Sequence, residues 1–156
     1  MKTIFISFDY DHDRQSAYLL SDLKENQGSQ ITFEDVTPKD ILPSAVDRIK
    51  AGLTQKIKMA THALVIVGEH SNHLHDYNIL IDDLNWQWWE INQSIAQGKK
   101  LIGVKIDSKF ESPTPLINAN TTWATSYTTA AILKAIRESS AVSGVENSKG
   151  GRVQAK

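Results

Sequence analysis

The sequence predicts an α/β fold with a parallel sheet, and three features of the chain support this prediction. Short apolar runs alternate with longer segments that have helical periodicity. Three of the runs, residues 3–8, 61–68 and 101–106, are almost continuously apolar, as expected for strands buried on both faces of a sheet. The alternation continues to about residue 139. Strands and helices in this order form a parallel sheet with helices on both faces and right-handed crossovers.

Length and composition limit the classes of protein to consider. The 156 residues suit a single domain, and 40% hydrophobic with 22% charged residues is typical of a globular chain. The formal net charge is -1, so we expect neither nucleic acid nor an anionic membrane surface as a partner. The absence of cysteine excludes disulfides, thiol catalysis and cysteine zinc sites. No signal-peptide pattern precedes the first strand, which predicts a cytoplasmic location.

The first half of the chain supplies the elements up to the second core strand. Residues 14–26 have the apolar spacing of a helix, with Asp13 as its N-cap. Residues 30–35 alternate in polarity as an edge strand does, and residues 36–43 contain two prolines and form a loop. Ser44 is predicted to cap the next helix, which runs to about residue 60. The predicted buried positions of that helix are Val46, Ile49, Leu53 and Ile57.

A tryptophan-rich helix follows the second core strand and a long connection, residues 69–84. Connections of this length are often functional in compact domains. Asn85 suits the N-cap of the helix, and Gly98 suits a left-handed residue just past its end. Helical spacing predicts a core stripe of Trp88, Ile91 and Ile95. Trp86 and Glu90 are four residues apart, so they share the opposite face.

The chain closes with residues 107–120 as a loop, a short strand at 122–124 and a helix at 127–139. The buried side chains of that helix are predicted to be Ala131, Ile132, Ala135 and Ile136. From Ser140 the sequence is polar and aperiodic, so residues 1–139 are predicted to form the domain and 140–156 a mobile tail. A five-stranded flavodoxin-like sheet with the order 2-1-3-4-5 places the first and third strands side by side.

The carboxyl ends of those two strands lead into residues 9–13 and 69–71, where such sheets bind ligands. A glycine-rich phosphate loop is ruled out, because neither GxGxxG nor GxxxxGK[ST] occurs. A phospho-receiver is disfavoured, because Gly68 and Glu69 stand where an acceptor aspartate would be needed. The histidine-rich connection offers four possible zinc ligands, but their spacing fits no helical two-histidine motif, and no metal is predicted. These ligands are His70, His73, His75 and Asp76, whereas His12 and His62 are isolated in the sequence.

Glu90 is a further candidate, as a carboxylate beside the large aromatic ring of Trp86. A carboxylate near an anomeric carbon can stabilise positive charge on a ribose as its base leaves. The other interpretation is a solvated glutamate next to a packing tryptophan, and spacing alone favours that interpretation.

Two blocks of sequence resemble the TIR-like domain family, and within it the ThsB-like proteins of Thoeris anti-phage defence. Residues 2–11, KTIFISFDYD, are similar to the opening strand of the family. Residues 88–104, WWEINQSIAQGKKLIGV, are similar to the block around its catalytic glutamate and the following strand. Trp86 and Glu90 also match the W-x-x-x-E spacing of many TIR domains. The likeness extends over roughly residues 1–139, although the 69–84 connection is longer and richer in histidine than the family pattern.

The resemblance implies a three-layer TIR sandwich that consumes NAD+ as its substrate and needs no cofactor. Such an enzyme cleaves the nicotinamide–ribose bond and makes a cyclic or conjugated ADP-ribose signal, which activates a separate defence effector against phage. Glu90 falls on the catalytic glutamate, and residues 36–43 fall on the mobile BB loop, which would exclude water. The implied substrate contacts are Ser7, Phe8, Asp9, Asp11, Thr37, Asp40, Ser71 and Trp86, with Phe8 and Trp86 as apolar walls. The alternative is a non-catalytic TIR-type interaction module that assembles with copies of itself.

Overall fold

The computed structural model describes residues 2–13, 19, 22–23, 31–35 and 42–149. The strands are β1 (Lys2–Ser7), β2 (Ile31–Asp35), β3 (His62–Val67), β4 (Lys100–Lys105) and β5 (Thr122–Trp123). The helices are α1 (Tyr10–Asp13), α2 (Val46–Met59), α3 (Asn78–Ile81), α4 (Trp86–Ala96), α5 (Thr114–Ile117) and α6 (Thr129–Lys149), with a 3₁₀ turn at Pro43–Ala45.

The strands pair in parallel, in the order β2-β1-β3-β4-β5. The predicted α/β class with a parallel sheet is therefore confirmed. From β1 the chain moves outward to β2 and then crosses back to β3 on the other side of β1. This reversal opens a crevice between the carboxyl ends of β1 and β3, where parallel α/β sheets bind their ligands.

Apolar side chains cover both faces of the sheet. All six residues of β3 are buried, as predicted for a central strand. On one face Ile4 and Ile6 pack with side chains of α6, and on the other face Phe5 packs with side chains of α2 and α4. The predicted core positions of α2 are confirmed for Val46, Leu53 and Ile57, which are buried, and Ile49 is partly buried against them. In α6, Ile132, Ala135 and Ile136 are buried and Ala131 is half-buried.

Three predicted boundaries are wrong. Asp13 lies inside α1, where its backbone N–H donates to the carbonyl of Asp9 at 2.8 Å, so α1 starts after Asp9. Most of the helix predicted at 14–26 lies outside the described residues, but Leu19 and Leu23 are buried as expected. Ser44 lies within the 3₁₀ turn, and α2 begins without a side-chain cap because Ala45 occupies the N-cap.

The third wrong boundary is the end of the last helix, since α6 continues past Ser139 to Lys149. The segment contains no proline, and a single glycine inside a helix costs only about 1 kcal/mol, so the polar composition of 140–149 does not prevent helix formation. The division at residue 139 between a domain and a tail stays a prediction. None of the helices in the described ranges combines the length and apolarity needed to cross a bilayer.

His62 opens β3 and is 3% exposed, as expected for a packing histidine. Burial, and to a smaller extent the positive charges of Lys100 and Lys2, lowers its pKa from 6.5 to about 4. The unfolded chain therefore binds this proton more readily than the folded protein does between pH 6.5 and 4. The stability contributed by the neutral ring is complete above pH 6.5 and is lost as the pH falls towards 4.

We expect the free energy of unfolding of the wild type to fall across this range by on the order of 2 kcal/mol more than that of His62→Gln. The glutamine does not titrate, so this proton uptake disappears in the variant. Urea unfolding at half-unit pH steps measures the difference. If the free energy of unfolding of the two proteins changes with pH in the same way, protonation of His62 does not contribute to the acid sensitivity of the fold.

Candidate functional site

Asn85 fixes the start of α4 at the edge of the crevice. Its side-chain oxygen accepts the backbone N–H of Trp88 at 2.9 Å, which confirms the predicted N-cap. Its amide nitrogen donates to the carbonyls of Ser71 at 3.0 Å and His73 at 2.8 Å, so the cap also holds the loop that follows β3. Gly98 has a φ of 72°, which confirms the left-handed residue predicted after the helix.

Gln87 joins α4 to both central strands. Its amide nitrogen donates to the carbonyl of Ser7 at 3.1 Å and to the carbonyl of Ile66 at 2.8 Å. The side chain is 4% exposed, so these hydrogen bonds are shielded from water. Sequence reasoning did not single out Gln87, and its one signal was its place three residues before Glu90, on the same helical face.

Glu90 lies beneath the carboxyl end of β1. The hydroxyl of Ser7, the last residue of β1, donates to the Glu90 Oε1 atom at 2.5 Å. Both residues are 1% exposed. The structure therefore brings together two of the residues that the sequence assigned to one site, although they are 83 positions apart in the chain.

The predicted core face of α4 is wrong for two of its three members. Ile91 is fully buried, but Ile95 is 40% exposed. Trp88 is partly exposed, and its indole N–H donates to the side chain of Asn72 at 2.9 Å. The buried face instead carries Gln87 and Glu90 among other residues. Polar side chains can lie inward here because strand-end carbonyls and the Ser7 hydroxyl bind them, and a count of apolar positions does not register such partners.

The two predicted apolar walls are core residues in this structure. Phe8 is 4% exposed and belongs to the apolar cluster on the sheet face opposite α4. Trp86 packs against Phe5 and meets Trp89 edge-on, with 5.9 Å between ring centroids. Ser71 is also buried, and its hydroxyl accepts the backbone N–H of Gly68 at 2.9 Å, which closes the turn after β3.

Among the predicted substrate contacts whose side chains the structure describes, Asp9 reaches solvent, with its side chain 20% exposed. Its Oδ2 atom lies 2.7 Å from Nδ1 of His12. The side chain of Asp11, together with Thr37, Asp40 and the 36–41 part of the predicted BB loop, lies outside the described residues.

His12 is isolated in the sequence but not in the fold. Its ring stacks on that of His70, with centroids 3.9 Å apart and an 18° angle between the planes. The ring of His73 meets His70 edge-on at 5.6 Å. His75 does not join this group through Nδ1, because that atom accepts the backbone N–H of Tyr77 at 2.8 Å. The histidines that lie together are therefore His12, His70 and His73, which differ from the set of His70, His73, His75 and Asp76 considered from the sequence.

Asp13 lies next to these rings and is 9% exposed. Burial, together with the negative charge of Asp9, raises the pKa of its carboxyl to about 6. The carboxylate packs so closely on Gly68 that a Cβ at that position would overlap it. The crevice edge thus combines imidazoles and carboxylates from two separate segments of the chain.

Comparison with solved structures supports the fold class. The chain is similar to a prokaryotic SEFIR domain, with 13% identity, 88% of this chain and 95% of that chain covered, and a TM-score of 0.51. It is more distantly similar to a 2-desoxiribosyltransferase from Leishmania mexicana, with 17% identity and a TM-score of 0.46. That match covers 69% of this chain and 66% of the enzyme, just under two thirds. A 2-deoxyribosyltransferase from Bacillus psychrosaccharolyticus shares 13% identity over 73% of this chain and 80% of that chain, with a TM-score of 0.45.

The likeness to the SEFIR domain shows an α/β fold, and it bears on the fold alone. Residues 5–111 match the family model described as Thoeris protein ThsB, TIR-like domain. Because that match covers more than half of the chain, the protein belongs to the ThsB TIR-like family. A search of curated proteins finds no match.

Proposed function

We propose that this domain cleaves the nicotinamide–ribose bond of NAD+ and releases a cyclic or conjugated ADP-ribose signal. The hydrogen bond between Ser7 and Glu90 carries the proposal, because it holds a carboxylate at the carboxyl end of β1 in a member of the ThsB TIR-like family. The released signal would activate a separate effector against phage. NAD+ would be the substrate, and the reaction would need no cofactor. It would take place in the cytoplasm.

In the proposed reaction, the bond between the ribose anomeric carbon and the nicotinamide nitrogen breaks, and neutral nicotinamide leaves with the bonding electron pair. The Glu90 carboxylate stabilises the positive charge that develops on the ribose. Water, an internal nucleophile of ADP-ribose or, for a conjugate, the nucleophile of a second molecule then forms the new bond to the anomeric carbon and loses a proton. Ser7 orients the carboxylate, Asp9 supplies a polar contact, and residues 36–43 exclude water so that the internal nucleophile can compete.

Burial of Glu90 supports a latent enzyme. At 1% exposure its carboxylate is out of reach of a dinucleotide, so a trigger must expose it before NAD+ can bind. A cavity of about 720 Å³ does exist near the carboxyl ends of β4 and β5. Trp123, Tyr127 and Lys105 are among its lining residues, and Glu90 is not.

The second candidate function is a non-catalytic module that assembles with other copies of the chain. Three large apolar side chains between β3 and α4 favour it, because Leu74, Ile79 and Leu80 are 58%, 86% and 48% exposed. A cluster of such side chains suits a protein–protein contact. In that case Glu90 would serve packing alone, as the partner of Ser7.

Mass spectrometry of NAD+ incubated with concentrated protein tests the proposal, in buffer and in lysate of phage-infected cells. We expect nicotinamide and an ADP-ribose-derived product to appear in equal amounts, at least in the infected lysate. The mass of that product distinguishes hydrolysis, cyclisation and conjugation, because the cyclic product lacks one water and a conjugate carries an added group. If NAD+ persists unchanged under both conditions, the enzyme assignment is wrong and the interaction module takes its place.

A further inference from the structure

An imidazole and carboxylate cluster lies past the carboxyl ends of β1 and β3. Asp9 and His12 come from the segment that follows β1, and His70 comes from the loop that follows β3. Each of the three residues offers one ligand atom, and these atoms lie within 4.8 Å of one another. Two chain segments that are distant in sequence thus bring three potential ligands to one point.

We propose that Asp9, His12 and His70 bind a divalent transition-metal ion of the Zn²⁺ type. Imidazole nitrogen and carboxylate oxygen are the ligand atoms that such ions prefer in proteins without cysteine ligands. Ligand atoms at about 2.1 Å from a tetrahedral ion lie ~3.4 Å apart. The observed atoms lie within 4.8 Å of one another, so the group must contract around the metal.

His70 offers a second, independent observation. Its Nδ1 atom is buried and has no hydrogen-bond partner in the part of the chain that the structure describes. A buried polar atom without a partner is unfavourable, and rare enough in proteins to call for an explanation. A metal ion bound at this nitrogen would accept the lone pair of the neutral imidazole, so the buried atom would no longer lack a partner.

The surrounding charge also favours a cation. The carboxyl group of Asp13 is close enough to Asp9, His12 and His70 for their charges to interact. Asp13 has a buried oxygen, Oδ2, that lacks a hydrogen-bond partner among the described residues. Asp9 and Asp13 therefore place two carboxyl groups beside the imidazoles of His12 and His70.

The stacked rings predict one local movement on binding. Two nearly parallel imidazoles direct their in-plane lone pairs along parallel lines, so one ring must rotate before both can bind a single ion. His12 is free to do so, because its side chain is 43% exposed. With three protein ligands, a tetrahedral ion would keep a fourth position open to water or to an anionic oxygen.

The test is a titration of ZnCl₂ and of CoCl₂ into the full chain without an affinity tag. Calorimetry measures the binding of each ion, and visible absorption reports bound Co²⁺. We expect one ion to bind per chain. Asp9→Asn, His12→Gln and His70→Gln should each weaken binding at least tenfold. The matched control is His75→Gln, which removes a histidine from the same connection, and its affinity should stay within twofold of the wild type.

Absence of one-to-one binding would overturn the proposal, as would equal affinity in the wild type and the three ligand variants. An equal loss in His75→Gln would also overturn it, because binding would then follow histidine content and not this cluster. Far-ultraviolet circular dichroism checks that each variant folds. If His70→Gln does not fold, Asp9→Asn and His12→Gln still test the proposal, because both residues are partly exposed and their substitution should not disturb the fold. Metal affinity is measured without NAD+, so these outcomes are separate from those of the NAD+ experiment even though Asp9 belongs to both proposed sites.

Discussion

Glu90→Gln is expected to lower the rate of NAD+ cleavage about 10³-fold and to leave the fold intact. Glutamine has the same shape and can still accept the Ser7 hydroxyl, so the contact between β1 and α4 survives. It carries no negative charge, and so cannot stabilise the cation that forms as nicotinamide leaves. Loss of one preorganised electrostatic group costs about 10²–10³ in rate in enzymes of known mechanism. Chromatography measures the rate at which nicotinamide is released, under conditions in which the wild type is active.

Glu111→Gln is the matched control, because it makes the same chemical change at an exposed position in the loop before α5. Its rate should equal that of the wild type, and both variants should have the same melting temperature as the wild type within a few degrees. A Glu90→Gln protein that cleaves NAD+ as fast as the wild type would leave Glu90 without a role in the reaction.

Gln87→Leu is expected to reduce the free energy of unfolding by about 3 kcal/mol. The substitution removes both hydrogen bonds to the carbonyls of Ser7 and Ile66 and leaves those groups facing an apolar side chain. Each buried polar group left without a partner costs about 1–3 kcal/mol, and the larger apolar surface of leucine offsets part of the loss. Equilibrium unfolding in urea measures the change.

Gln93→Leu provides the comparison, since Gln93 is a half-buried glutamine on the same helix. We expect its free energy of unfolding to stay within about 0.5 kcal/mol of the wild type. If both leucine variants lose the same stability, the effect belongs to helix α4 as a whole and not to the two strand-end hydrogen bonds.

Much of the architecture followed from local patterns. The continuous apolar run of β3 predicts burial on both faces, because a strand surrounded by neighbours and covered by helices meets no water. Asn85 and Gly98 predicted the two ends of α4 correctly, since the cap hydrogen bond and the positive φ depend only on nearby backbone. The N-terminus of α1 was predicted wrongly at Asp13. The backbone N–H of Asp13 donates to the carbonyl of Asp9, so the helix starts earlier than its apolar spacing indicated.

The sequence also named both partners of the central contact, Ser7 and Glu90, although it did so through resemblance to a family and not through spacing. It missed Gln87, because the partners of that amide are backbone carbonyls, and any residue could supply them. It treated His12 as isolated, because the residue that stacks on it, His70, follows a different strand.

By itself, the sequence determined the α/β class, the central strands, the limits of α4 and the family to which the chain belongs. These features depend on side-chain periodicity and on short motifs, both of which are local in the chain. Only the tertiary structure decided which face of α4 turns inward and which ligands gather beside it. The reason is that burial of Gln87 and Glu90 and the grouping of Asp9, His12 and His70 depend on partners contributed by separate strands, and those partners meet only when the sheet has formed.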